Sequence, residues 1–185
     1  NPSARVLEVL RTAWPHGMDG VRWELLLLPV RREHAFTRLR ERWDQGSFDV
    51  WLGLGQAGGR ARVCAERCAQ NLFRPGGVAG EPHGDAEELL VDGAPMLQIC
   101  RWPAAELVDD LARDALPIAL SDSAGAFVCN ELLFRMEHRL CAQLDSGSPA
   151  HPSATRPSAM HAERLARWAG FLHLPYLPEQ LAGKP

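Results

Sequence analysis

The chain has 185 residues, of which 46% are hydrophobic and 23% charged, a composition that fits one ordinary globular domain with a sizeable core. A formal net charge of -3 and a sequence pI of about 6.2 supply no basic field for phosphates, so nucleic acid is not an expected partner. The longest apolar run, Leu25 to Val30, is too short to span a bilayer, so no membrane partner is expected, and nothing at the start resembles a charged leader. Five cysteines without a disulfide-like spacing suit free thiols in a reducing compartment, which makes the cytoplasm the expected location.

In chain order, Ser3 to Thr12 place Val6, Leu7, Val9 and Leu10 at helical spacing behind Pro2 and predict a helix. Trp23 to Val30 predicts a strand, and its continuous run of leucines predicts cover on both faces. Arg31 to Asp44 carries Phe36, Leu39 and Trp43 along one side and predicts an amphipathic helix. A strand from Phe48 to Leu54 then runs into a glycine-rich turn, Gly53 to Arg60, followed by a segment through Asn71 that contains Cys64, Glu66 and Cys68. Gly and Pro crowd Pro75 to Gly84, the mark of an irregular loop.

Pro103 to Ala115 has helical periodicity, Pro117 to Leu120 is a short strand ending in Ser121-Asp-Ser-Ala-Gly125, and a second long helix is predicted from Ala126 to Leu144. Asp145 to Met160 is rich in Ser, Pro and Ala and reads as a mobile insertion. The last strand is Ala169 to Leu174, closed by Pro175 and Pro178. Strands and helices that alternate in this way predict a single α/β layered domain over residues 1–185 with a mostly parallel sheet.

Two residues in this layout have the makings of chemistry. Cys129 falls in the first turn of the long helix, where backbone N–H groups and the helix dipole favour a thiolate, so a low-pKa cysteine is expected. His173 falls at a strand end, and in parallel α/β sheets strand C-termini and helix N-termini share the edge where ligands bind. A cysteine nucleophile needs a base for its proton, and the imidazole needs a third group to orient it. Glu66, Asp122 and Glu131 all qualify as that group by residue type. The bland alternatives are a small buried hydrophobe for Cys129, a strand-end histidine satisfied by a carbonyl for His173, and a solvated helix charge for Glu66.

Other motifs carry less. Gly53-Leu-Gly55-Gln-Ala-Gly58 matches G-x-G-x-x-G after a strand, but no strand with a terminal acid follows about twenty residues on, as a dinucleotide site needs. Cys64 and Cys68 stand four apart with no second ligand pair behind them, which points to helix packing rather than a metal.

Four segments together resemble the pyroglutamyl peptidase type I family, also called pyrrolidone-carboxylate peptidases. They are Asn1-Pro-Ser, Gly55-Gln-Ala-Gly-Gly-Arg60 with Glu66-Arg-Cys-Ala-Gln-Asn71, Ser121-Asp-Ser-Ala-Gly-Ala-Phe-Val-Cys-Asn130, and Gly170-Phe-Leu-His-Leu-Pro-Tyr-Leu-Pro-Glu-Gln180. The resemblance implies a three-layer α/β/α sandwich around a mostly parallel, mixed sheet of the phosphorylase/hydrolase-like kind. It implies a cysteine exopeptidase acting on N-terminally pyroglutamylated peptides, without metal or organic cofactor, in a homotetramer or dimer. By the same resemblance Cys129 is the nucleophile, His173 the general base and acid, and Glu66 the orienting carboxylate. Gln56, Phe127 and Val128 line the pyrrolidone pocket, and Arg74 stands nearest to the arginine that the family places by the reacting carbonyl.

The chain departs from the family pattern at Leu72-Phe-Arg-Pro-Gly-Gly77, where relatives carry a longer segment, and in the length between Cys129 and His173. The family's N-terminal strand, its aromatic loop and its C-terminal helix are also expected to be missing from these 185 residues. Those departures define the competing expectation, a homologue without activity that serves as a binding or structural protein.

Overall fold

The computed structural model describes residues 1–13, 20–46, 48–75, 87–145 and 168–181. Helix α1 spans Pro2–Thr12 and starts where the sequence puts it, with the Asn1 side chain accepting from the Ser3 N–H at 3.0 Å and proline in the first turn. Helix α2, His34–Gln45, buries Ala35, Leu39 and Trp43 along one side. Strands β1 (Val50–Gln56), β2 (Val63–Glu66), β3 (Cys68–Gln70) and β4 (Leu97–Ile99) follow. Helix α3 (Ala104–Arg113), strand β5 (Ile118–Ser121), helix α4 (Val128–Asp145), strand β6 (Trp168–Leu174) and the short helix α5 (Pro178–Leu181) complete the order.

The main sheet has four strands in the order β1-β6-β2-β5. β1 runs parallel to β6 and β2 parallel to β5, but β2 and β6 are antiparallel, so the sheet is mixed as the resemblance implied. Strand parity sorts its two faces. Gly53, Gly55, Phe171 and His173 share one face, and a Cβ on Gly55 would stand 2.9 Å from the Cys129 Sγ of α4. Gly170 shows the other face, where a Cβ would meet the Trp102 ring, just ahead of α3, at 2.6 Å. Helices therefore flank both sides of the sheet, in three layers.

α4 is buried almost all round. Leu133, Phe134 and Met136 have no exposure, and neither do Asn130, Glu131 and Glu137. The polar residues are tolerated because each is bonded. Glu137 accepts from the Arg101 backbone N–H at 3.1 Å and its Nε at 2.8 Å, and Glu131 accepts from Arg135 Nε at 3.0 Å. Asn130 completes the edge of β3, accepting from the Gln70 N–H at 2.9 Å and donating to the carbonyls of Gln70 and Leu72.

Four expectations need correction. Trp23 to Val30 forms no strand and belongs to neither sheet, and it is not covered on both faces: Leu26 and Leu28 pack on the core while Trp23 is 44% and Leu27 56% exposed. The glycine-rich turn starts later than predicted, because β1 continues to Gln56. Gly53 and Gly55 are strand residues whose missing side chains admit Phe171 and the Cys129 sulfur, and the turn itself is made by Gly59, at φ +82. Cys64 and Cys68 lie on strands β2 and β3, not on a helix. Glu66, whose bland alternative was a solvated helix charge, ends β2 with no exposure. The loop predicted at Pro75 to Gly84 lies outside the described residues from 76 onward, and the insertion predicted at Asp145 to Met160 does so from 146 onward.

Candidate active site

Cys129 is the second residue of α4. The chain enters that helix through Ser121-Asp-Ser-Ala-Gly125, where Gly125 takes φ +80, and the Phe127 carbonyl accepts from the Glu131 N–H at 2.9 Å to close the first turn. The sulfur lies over Gly55 of β1, and Gly55 pairs in register with His173 of β6. A side chain at position 55 would fill the space the sulfur occupies.

His173 is 4% exposed and Glu66 is fully buried. Cys64 is the cross-strand partner of His173, and Glu66 is two residues beyond Cys64 on the same face, so the carboxylate reaches the imidazole diagonally across the antiparallel pair. Nδ1 of His173 and Oε1 of Glu66 are 2.7 Å apart. An ionised carboxylate only accepts, so Nδ1 carries the proton and Nε2 is the nitrogen that can receive one from a thiol. The Phe171 ring, with its centroid 4.9 Å from that of the imidazole, limits ring rotation from the other side.

The two other carboxylates that qualified by residue type are engaged elsewhere. Asp122 pairs with Arg67 at the surface, and Glu131 binds Arg135.

The expected low-pKa cysteine is not what the site produces. Burial pushes the Cys129 thiol up to about 11, the nearby negative charge of Glu66 pushes the same way, and the lowering effect of its backbone hydrogen bond is smaller. A helix N-terminus favours the thiolate by only a modest amount, and here desolvation outweighs it. The resting group at neutral pH is a thiol that needs a base.

The residues named for the pocket lie around this point. Gln56 ends β1 and accepts from Gln180 Nε2 of α5 at 3.0 Å. Phe127 precedes the helix with its ring 5.5 Å from Phe73, and Val128 is buried beside Cys129. Arg74 divides its parts: its N–H donates to the Ala126 carbonyl at 2.7 Å, bordering the turn before Cys129, while its guanidinium is 57% exposed and pairs with Glu87. No cluster of three or more His, Cys, Asp or Glu side chains suited to a metal occurs among the described residues.

Sequence reasoning missed Arg60. Its Nη1 is 2.9 Å from Glu66 Oε1 and 3.0 Å from Ser121 Oγ, and its Nη2 is 2.7 Å from the Ser123 carbonyl. Its signal was an arginine closing a turn otherwise made of small residues, six positions before the glutamate. Trp102 was missed as well. Its Nε1 donates to the Glu66 carbonyl at 2.7 Å and fixes the strand end that carries the carboxylate.

The chain is similar to known proteins over most of its length. The model of a family described as pyroglutamyl peptidase matches residues 1–147. A pyrrolidone-carboxylate peptidase of Treponema denticola is 25% identical over 185 residues, covering 100% of this chain and 76% of its own length. One from Bacillus licheniformis is 29% identical over 167 residues, covering 90% of this chain and 68% of its own length. The crystal structure of pyrrolidone carboxyl peptidase from Fervidobacterium islandicum superposes with a TM-score of 0.75 at 29% identity, covering 100% of this chain and 78% of that one. That of pyroglutamyl peptidase I from Bacillus amyloliquefaciens gives 0.63 at 28% identity, covering 85% of this chain and 66% of that one. A half-buried cysteine seated over Gly55, a buried histidine bonded to a buried glutamate on this mixed sheet, and a family model matching most of the chain make the protein a member of the pyroglutamyl peptidase family of cysteine peptidases.

Proposed function

We propose that this chain removes N-terminal pyroglutamyl residues from peptides through a thioester on Cys129. The observation that carries the reading is the seating of the Cys129 sulfur over Gly55, beside a histidine whose far nitrogen is held by Glu66. As the sulfur attacks the carbonyl that joins pyroglutamate to the next residue, His173 Nε2 takes the thiol proton. The S–C bond forms, the C–N bond breaks, and the same proton passes from the imidazole to the leaving amine. Water then loses a proton to Nε2, its oxygen bonds to the thioester carbon, and the S–C bond breaks to return the thiol and release pyroglutamate. Glu66 stays ionised and balances the imidazolium in each half.

Gln56, Phe127 and Val128 are the residues proposed to hold the lactam ring, with polar contacts for its N–H and C=O and apolar walls against a free ammonium, which would be buried unpaired there. Arg74 would act on the developing oxyanion only by leaving Glu87. A single domain working in the cytoplasm as a homo-oligomer belongs to the same proposal. No helix among the described residues is long and apolar enough to cross a membrane.

The test is release of a chromophore from a pyroglutamyl amide by the reduced protein and by Cys129→Ala. The expected result is hydrolysis by the first, none above background by the second, and none of a prolyl amide that carries a free amine. A folded, reduced protein without activity would favour the non-catalytic homologue instead.

A further inference from the structure

We propose that Arg60 is a positioning residue for catalysis, a permanent positive charge that keeps Glu66 a carboxylate and ties it to the turn delivering the nucleophile. The inference rests on the function proposed above but draws on a group that function does not use.

Glu66 has no exposure, and both described partners of its carboxylate, His173 Nδ1 and Arg60 Nη1, meet the same oxygen, Oε1. Oε2 has no hydrogen-bond partner among the described residues. A buried carboxylate in that situation depends on its partners to stay ionised. A neutral imidazole offers one N–H dipole, whereas the guanidinium offers a full charge in every protonation state of the histidine.

Among the described residues, four thiols act on the carboxylate or on the guanidinium beside it. They are Cys64 on the same strand, Cys129 on α4, Cys68 on β3 and Cys100 beyond β4. Burial pushes Cys68, Cys100 and Cys129 up, so these three bring no charge at neutral pH. Burial also works against the charge of Arg60 itself, but Cys64 and Glu66 outweigh it and hold the guanidinium above its ordinary value.

The same side chain reaches beyond the acid. Through Ser121 Oγ and the Ser123 carbonyl it grips the start of the segment that leads to Cys129. One planar fork therefore sets the spacing between the carboxylate on β2 and the chain that brings in the sulfur.

Loss of the charge has a direction that does not depend on where the proton settles. Without Arg60 the Glu66–His173 pair takes up a proton at higher pH. If the proton rests on the histidine, Nε2 is occupied. If it rests on the glutamate, the carboxyl donates to Nδ1 and the imidazole proton moves to Nε2. Either form is useless as a base toward the thiol.

The experiment compares wild type with Arg60→Gln, which keeps an amide donor and removes the charge, and Arg60→Lys, which keeps the charge and loses the fork. Folding is checked by circular dichroism. The His173 ring proton is titrated by NMR without substrate, and kcat/KM for a pyroglutamyl amide is measured across pH.

Arg60→Gln is expected to move both the imidazole titration and the acid limb of kcat/KM up by about one to three pH units, with the loss in kcat rather than KM. Arg60→Lys is expected to leave both in place while lowering kcat. Unshifted curves in a folded Arg60→Gln would overturn the proposal, because a merely structural role predicts no change in titration. Should Arg60→Gln not fold, Arg60→Met, uncharged and close to the arginine stem in shape, takes its place: a raised acid limb that Arg60→Lys does not show supports the charge role, and an unshifted one refutes it. Should wild type hydrolyse nothing, the imidazole titration still reads Arg60, and only the proposed function falls.

Discussion

At Cys129 two effects oppose each other and the magnitudes decide. The helix N-terminus visible in the sequence lowers a thiol, but packing against β1 and the neighbouring Glu66 charge raise this one to about 11. Alkylation of Cys129 by a haloacetamide should therefore quicken continuously from about pH 7 to 10, since the reactive thiolate fraction is still growing throughout that range. A rate that levels off below neutrality would mean a preformed thiolate. Gly55 makes a second test, because a Cβ there would stand 2.9 Å from both the sulfur and the Phe171 ring. Gly55→Ala should lower kcat by about 100-fold through displacement of the nucleophile, with far-ultraviolet circular dichroism unchanged. Cys129 and His173 were legible from residue type and element position, because a helix start and a strand end are local features. Glu66 was not selectable over Asp122 and Glu131, because the choice depends on β2 running antiparallel to β6, a non-local pairing that no spacing in the chain records. Arg60 escaped for the same reason, since its partners lie 6 to 63 positions away.

Among the elements, periodicity located α1, α2, α3 and α4 to within a few residues; α2 and α3 turn an apolar side to the core, α4 is buried almost all round, and α1 is marked by its proline and Asn1 cap rather than by core contacts. It failed at Leu25 to Leu28, where four leucines in a row suggested a strand covered on both faces. Leu26 and Leu28 pack on the core while Leu27 is exposed, and such a run cannot by itself tell a sheet strand from a segment laid along the surface outside the sheets. Glycine misled in the opposite sense, suggesting a turn where Gly53 and Gly55 give strand β1 room for its neighbours. The pairing of α4 with β3 is the element contact with the clearest mutational signature. Asn130 is fully buried and serves one N–H and two carbonyls of residues 70 and 72. Asn130→Ala should cost about 2 to 3 kcal/mol in urea unfolding by stranding those groups, and a change well under 1 kcal/mol would mean that water replaces the amide.

For the molecule as a whole, composition and alternation carried the α/β class, while the mixed direction of the sheet rested on the family resemblance. The alkaline side of its stability follows from the buried thiols. Cys129 and Cys100 are both raised above the ordinary value of 9.0, so the folded state retains protons that the unfolded chain has already lost. The Cys129 contribution is complete below pH 9 and disappears as pH rises through about 11, and that of Cys100, pushed up further by its deeper burial, is lost only at higher pH. The melting temperature should fall across that interval, and Cys129→Ala should make the fall shallower. In the proposed reaction the three layers bring one sulfur to an acyl carbon. Intact-mass analysis of the acid-quenched protein, mixed with an activated pyroglutamyl ester so that deacylation limits turnover, tests it most directly. One pyroglutamyl adduct is expected, mapped to the peptide that contains Cys129 and absent from Cys129→Ala. Turnover with no adduct on Cys129, or an adduct on another of the cysteines, would contradict it.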